Sequence, residues 1–232
     1  MRYIVPICRN ELRRYFATPI GWVPVCGWAL LFGLIIFAAN NDSIRNKLLM
    51  LVLGLTFFKP PPEELQHPVI LVVGLARITM LILIPTMAMR LFPEEQQART
   101  AEILLTSPVH ESEIVIGKWL GALSLYLLIL AISVLELVLS SLWHSPHWAT
   151  VFINYMALIS LSAGVLSLGE WMSTLTKYQS ATASGTLLVC LLALKFFDKG
   201  DLDAADALLC AGMTVLGWLL SCRSLRAIRE AF

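Results

Sequence analysis

Charge is scarce in this chain: Asp, Glu, Lys and Arg make up 14% of its 232 residues, 58% are hydrophobic, and mean hydropathy is +0.76. That composition cannot supply the polar surface a water-soluble globule needs, which leaves a polytopic membrane protein. Catalytic signatures are missing as well. There is no GxxxxGK[ST], GxGxxG, HExxH or GxSxG, so nucleotide binding and hydrolysis have no recognisable site of their own. Cysteine pairs are also absent: Cys8, Cys26, Cys190, Cys210 and Cys222 form no CxxC and lie in or beside apolar segments. Reduced thiols are expected, with neither a disulfide framework nor a zinc site. His144 and His147 bracket Pro146 without a nearby carboxylate, and between Trp143 and Trp148 they read as an interfacial turn rather than a metal site. A net charge of +1 argues neither for nor against nucleic acid, and no nucleic-acid partner is expected.

What is present is a series of apolar runs at about 20–39, 69–89, 117–141, 149–171, 180–197 and 206–222. About 20 helical residues at 1.5 Å each cross a hydrocarbon core of about 30 Å, and in lipid the backbone must satisfy its own hydrogen bonds within each segment. The sequence therefore predicts an all-α fold, with residues 1–232 forming one transmembrane domain of six helices. Residues 1–18 are not a cleaved signal, because the charged part runs to Arg14 and the apolar part that follows is long enough to stay in the membrane. Arg9, Glu11, Arg13 and Arg14 alternate with Ile7, Leu12, Tyr15 and Phe16, the pattern of an amphipathic helix on the cytosolic headgroups that turns inward at Thr18-Pro19.

Orientation follows from where the cations fall. Arg2, Arg9, Arg13, Arg14, Arg90, Arg99, Lys118, Lys177, Arg223, Arg226 and Arg229 lie on one side, against Arg45, Lys47, Lys59, Lys195 and Lys199 on the other. Both termini are thus expected in the cytosol. The first external loop, 40–68, contains LLMLVLGLTFF and then Lys59-Pro60-Pro61-Pro62, read as an interfacial or re-entrant helix closed by a rigid turn. A seventh span there would put the termini on opposite sides, against the charge distribution.

Two charges interrupt the spans. Arg77 lies about a third of the way into the second run and Glu136 near the external end of the third, so both fall in the outer half of the membrane. A mutual ion pair is expected, acting as a structural clamp or as a polar lining or gate of a path. Glu170, near the cytosolic end of the fourth run, reads as a residue that snorkels.

The segment 90–116 between the second and third runs is too charged for lipid. Ala98, Ala101, Leu104 and Leu105 fall at helical spacing among Glu94, Glu95, Gln96, Gln97 and Arg99. Ser107 then offers an N-cap and Pro108 an N1 residue for a second helix returning to the membrane.

These residues resemble a known family. Pro85-Thr86-Met87-Ala88-Met89-Arg90-Leu91-Phe92, Glu94-Glu95, Thr100, Glu102, Leu104-Leu105-Thr106-Ser107-Pro108-Val109, Glu113-Ile114-Val115 and Gly117-Lys118 are similar to the cytosolic loop of type-2 ABC exporter permeases, in particular the gliding-motility-type branch. Glu11-Leu12-Arg13-Arg14-Tyr15-Phe16 with Thr18-Pro19 resembles that family's N-terminal segment. Departures occur at Gln96-Gln97, at Pro93 in place of a common Ala, and at Arg99 in place of Gly.

The resemblance implies a permease subunit with no catalytic site or cofactor of its own. ATP and Mg would be bound by a soluble ABC ATP-binding subunit, and a second permease, identical or related, would complete a two-fold pathway through membrane lipid. Glu94, Glu95, Arg99, Glu102, Leu104, Leu105, Thr106, Ser107 and Pro108 would dock that ATPase through a cytosolic coupling helix. The other readings are a non-transporting membrane anchor of an ATPase-driven complex and an ATP-independent secondary transporter; the latter should carry broken helices and midplane acids, for which Pro85 and Glu170 are poor candidates.

Overall fold

The computed structural model describes residues 3–17, 19–39, 47, 68–93, 110–141, 148–176, 178–196 and 204–230. Seven helices occur among them, and no strand: α1 (Ile4–Ala17), α2 (Pro19–Ala39), α3 (Pro68–Leu91), α4 (Glu111–Ser140), α5 (Trp148–Leu175), α6 (Gln179–Phe196) and α7 (Ala204–Glu230). The 44–58 run, apart from Lys47, and the His144–His147 turn lie outside the described residues.

α1 and α2 meet at a corner of 71°. Pro19 starts the second helix, where its missing N–H is not needed. The Trp22 indole donates to the Phe16 carbonyl (2.9 Å) while the two rings meet edge to face at 5.2 Å. Gly21 lies against the Tyr15 carbonyl so closely that a Cβ would collide with it. The corner between α1 and α2 is thus set by Pro19, Gly21 and Trp22.

Within the bundle, α3 is the most enclosed span: 72% of its most apolar stretch is buried, against 22% for α7 at the periphery. α3 packs on α2, α4, α5 and α6, and α5 in turn carries α7 on its outer side. Small and hydroxyl residues make these crossings close. Ser167 Oγ donates to Gly164 of its own helix and reaches the Met213 carbonyl of α7 at 3.1 Å, while the Trp119 and Trp218 rings meet edge to face at 4.9 Å.

Four helical stretches are long and apolar enough to cross a membrane, Val72–Leu91, Glu111–Leu139, Trp148–Leu175 and Asp206–Ala227, and the bent α1–α2 pair makes up to five. The sequence predicts six. The remaining run falls on α6, whose 18 residues begin with the polar series Gln179, Ser180, Thr182, Ser184 and Thr186. At 1.5 Å per residue α6 reaches about 27 Å, slightly short of the hydrocarbon thickness.

The cap expected at Ser107-Pro108 lies outside the described residues, and the described helix that follows this segment is α4. It begins at Glu111, with His110 at the N-cap in extended backbone (φ −70°, ψ 140°). Glu111 and Glu113 occupy its first turn, where the helix dipole favours acids.

Candidate functional site

All nine residues expected to dock a partner, Glu94, Glu95, Arg99, Glu102, Leu104, Leu105, Thr106, Ser107 and Pro108, lie outside the described residues. The structure instead defines the two points from which their segment hangs, the end of α3 at Leu91–Phe92 and the start of α4 after His110.

Between those points sits Lys118. The sequence pattern counts it as a cytosolic loop cation, but it is 1% exposed and points into the bundle. Its Nζ donates to Glu11 Oε1 of α1 at 3.1 Å and to the Leu91 carbonyl at 2.7 Å, and lies 4.9 Å from the centre of the Phe92 ring. Leu91 is the last residue of α3, so the ammonium sits on carbonyls that have no partner in the helix, at the negative end of its dipole. One cation therefore ties α1, the exit of α3 and the start of α4 together. The close approach of α1 is made possible by glycine: a Cβ at Gly117 would stand 2.8 Å from Ile7, and one at Gly121 2.8 Å from the Glu11 side chain.

Glu170 completes this group and corrects the snorkelling expectation. It is fully buried on α5, and neither carboxylate oxygen has a hydrogen-bond partner among the described residues. Its electrostatic neighbours are Lys118 and Glu11. The α5 backbone is close enough to α3 for this: a Cβ at Gly169 would stand 3.1 Å from Ala88, one turn before Leu91. At the same end of the bundle, Arg229 of α7 donates to Glu111 Oε1 at 2.8 Å. Lys118 and Glu170 share one signal in the sequence, a charge after a glycine and before a tryptophan in an apolar run, as in Ile116-Gly117-Lys118-Trp119-Leu120, whereas Glu11 lies among other charges and carries no such signal.

The second polar group lies deeper. Arg77 on α3 is buried beside Tyr126 of α4. Ser133 of α4 shares a 2.8 Å hydrogen bond with the Tyr155 hydroxyl of α5 and donates to the Leu130 carbonyl. Glu136 lies one turn further along α4 and faces α2, its Oε1 being 3.9 Å from where a Gly33 Cβ would be. Glu136 Oε2 has no hydrogen-bond partner among the described residues, and Arg77 is not free of contacts.

The arrangement has no group of three or more metal-ligating residues among those described. What it offers is mechanical: a polar segment held at both ends by helices that enter the membrane, with a buried counter-ion at the joint. A comparison with curated proteins returns no match. Residues 7–200, from the middle of α1 past the end of α6, match the model of the ABC-2 family transporter protein. A match over most of the chain, on a bundle of long apolar helices, means that the chain belongs to the ABC-2 transporter family, as the multi-pass membrane permease component of an ABC transporter.

Proposed function

We propose that this permease belongs to an ATP-driven exporter and couples ATP hydrolysis on separate soluble ATP-binding subunits to substrate movement across a prokaryotic plasma membrane. The observation that carries the reading is the joint at Lys118. The family match covers both helices flanking residues 94–109, and those helices meet on this one ammonium. A partner pressing on the segment would thereby act on α1, α3 and α4 at once.

In this reading Glu94, Glu95, Arg99, Glu102, Leu104, Leu105, Thr106, Ser107 and Pro108 form the docking surface, a short helix in a groove of the ATPase with a charged rim. ATP and Mg belong to that partner. The gliding-motility-type branch is the favoured place within the family, on the strength of Leu104-Leu105-Thr106-Ser107-Pro108 and Gly117-Lys118. A second permease copy or a related chain supplies the other half of a two-fold path.

The six-span topology is supported by which ends meet. Glu11–Lys118 brings α1 to the end where α4 starts, and Arg229–Glu111 brings the last turn of α7 to the same end. α4 and α5 run out and back, so α6 has to cross the bundle for α7 to finish there. The short, partly polar α6 is then the sixth span, α1 lies at the headgroups, and both termini face the cytosol.

The test is to co-express the chain with candidate ATP-binding subunits, purify through a tag on the permease, and measure co-elution and ATPase activity beside a Glu102→Arg, Leu105→Asp variant. Co-purifying ATPase that is lost in the variant is the expected result. A folded permease that retains no ATPase would overturn this reading in favour of an ATP-independent transporter.

A further inference from the structure

A carboxylate buried without hydrogen bonds is costly, and burying it beside an ammonium that is bonded elsewhere does not remove the cost. Glu170 is in that position. Both of its oxygens lack partners among the described residues, while the neighbouring Lys118 donates to Glu11 and to Leu91. The Lys118 side chain has a long flexible stem and three rotatable donors, so it can change acceptors without moving its backbone far. The Leu91 carbonyl lies one turn from Ala88, which faces Gly169, the residue before Glu170. Glu11 of α1 thus holds the ammonium directly, and Glu170 of α5, its electrostatic neighbour, follows the residue packed one turn from the ammonium's Leu91 acceptor.

We infer that Glu170 is the second seat of the Lys118 ammonium, and that transfer from Glu11 to Glu170 unclasps α1 from α4 while leaving the ammonium at the end of α3. In the described state α1 is locked to α4 by the Glu11 bond and by the close packing at Gly117 and Gly121. In the second state the bond runs from α4 to α5, and α1 has lost its Glu11 tie to α4. Pairing persists in both states, so no uncompensated ammonium is exposed to the bundle interior during the change. Lys118 and Glu170 are positioning residues: they touch no transported molecule, and they set which helix follows the cytosolic segment. That the change is driven by an ATPase rests on the function proposed above; the existence of the second seat does not.

The experiment is distance-measuring solid-state NMR on the full-length permease in lipid, with 15N on lysine Nζ and 13C on glutamate carboxyls. Lys118→Arg, which keeps the charge but removes the labelled nitrogen, identifies the Lys118 signals. Wild type is expected to give a Lys118–Glu11 contact. Glu11→Gln is expected to give a new Lys118–Glu170 contact, absent from the Glu11→Gln, Glu170→Gln double variant. A folded Glu11→Gln protein with no such contact overturns the inference. Should Glu11→Gln fail to purify, Glu11→Asp withdraws the first carboxylate by one methylene, and a lysine that stays wholly on position 11 overturns the inference equally. In the complex with an ATP-binding subunit trapped by ATP and vanadate, wild type is expected to acquire the Glu170 contact that the permease alone lacks, and a trapped complex that keeps the Glu11 contact overturns the transfer. If no ATP-binding subunit associates, the proposed function fails while the permease-only measurement still decides the second seat.

Discussion

Lys118 concentrates more consequence than any other single described side chain. Replacing it by methionine leaves the 8%-exposed Glu11 side chain facing a cationless interior and the Leu91 carbonyl without its donor. Breaking a buried pair in this way costs about 3–5 kcal/mol, so Lys118→Met should unfold at clearly lower temperature or denaturant in detergent. An unchanged midpoint would mean that the ammonium is dispensable to the fold. Tyr155→Phe is a milder case. It removes one interhelical hydrogen bond, but Ser133 keeps the Leu130 carbonyl, so a loss of about 0.6 kcal/mol, and at most about 1.7, is expected in the same assay. Neither role shows in the sequence, where Lys118 counts among the loop cations and Tyr155 is one aromatic in an apolar run. Nor do their partners, because helices that are apolar on every side give no period from which the inward face can be read. For the same reason the sequence can pair Arg77 with Glu136 by depth but cannot give the rotation of either side chain about its helix axis.

Among the elements, α1 offers the sharpest test because it is held by few features. Burial, and secondarily the Glu11 carboxylate, push the Cys8 thiol above its ordinary pKa, so little reactive thiolate is present near neutral pH. Gly121→Leu would drive bulk into the Glu11 side chain and lift α1 from α4. In a variant with Cys8 as its sole thiol, Gly121→Leu should raise the rate of maleimide labelling at neutral pH severalfold. An unaltered rate would show that α1 does not depend on that close contact. The amphipathic pattern of residues 4–17 and the corner at Thr18-Pro19 are legible because charge periodicity and proline act locally. The clasp is not, since Glu11 and Lys118 are 107 positions apart and only folding brings them together.

For the molecule as a whole, topology is the open quantity that labelling can fix. His110→Cys and Tyr178→Cys, at the two ends of the α4–α5 pair, should react with an impermeant thiol reagent from the cytosolic side, and Trp148→Cys from the opposite side. Positions 110 and 178 reacting from opposite sides would refute the six-span arrangement. Composition makes the membrane class plain, and the apolar runs locate the long apolar helices, because burial of about 20 apolar residues per span dominates the energetics. The count is harder to read where α6 mixes hydroxyls with leucines. One dimension of the molecule bears on how force could travel through it. α4 runs for 30 residues, about 45 Å, against a hydrocarbon thickness of about 30 Å. The first turns, from Glu111 to Lys118, form a stiff arm packed into the bundle, with Ile114 and Val115 buried and Lys118 at its inner end. Seven residue steps at 1.5 Å make that arm about 10 Å, so a tilt of about 10° about Lys118 would sweep its tip by about 2 Å, enough to carry the 2.8 Å Arg229–Glu111 bond beyond hydrogen-bonding reach.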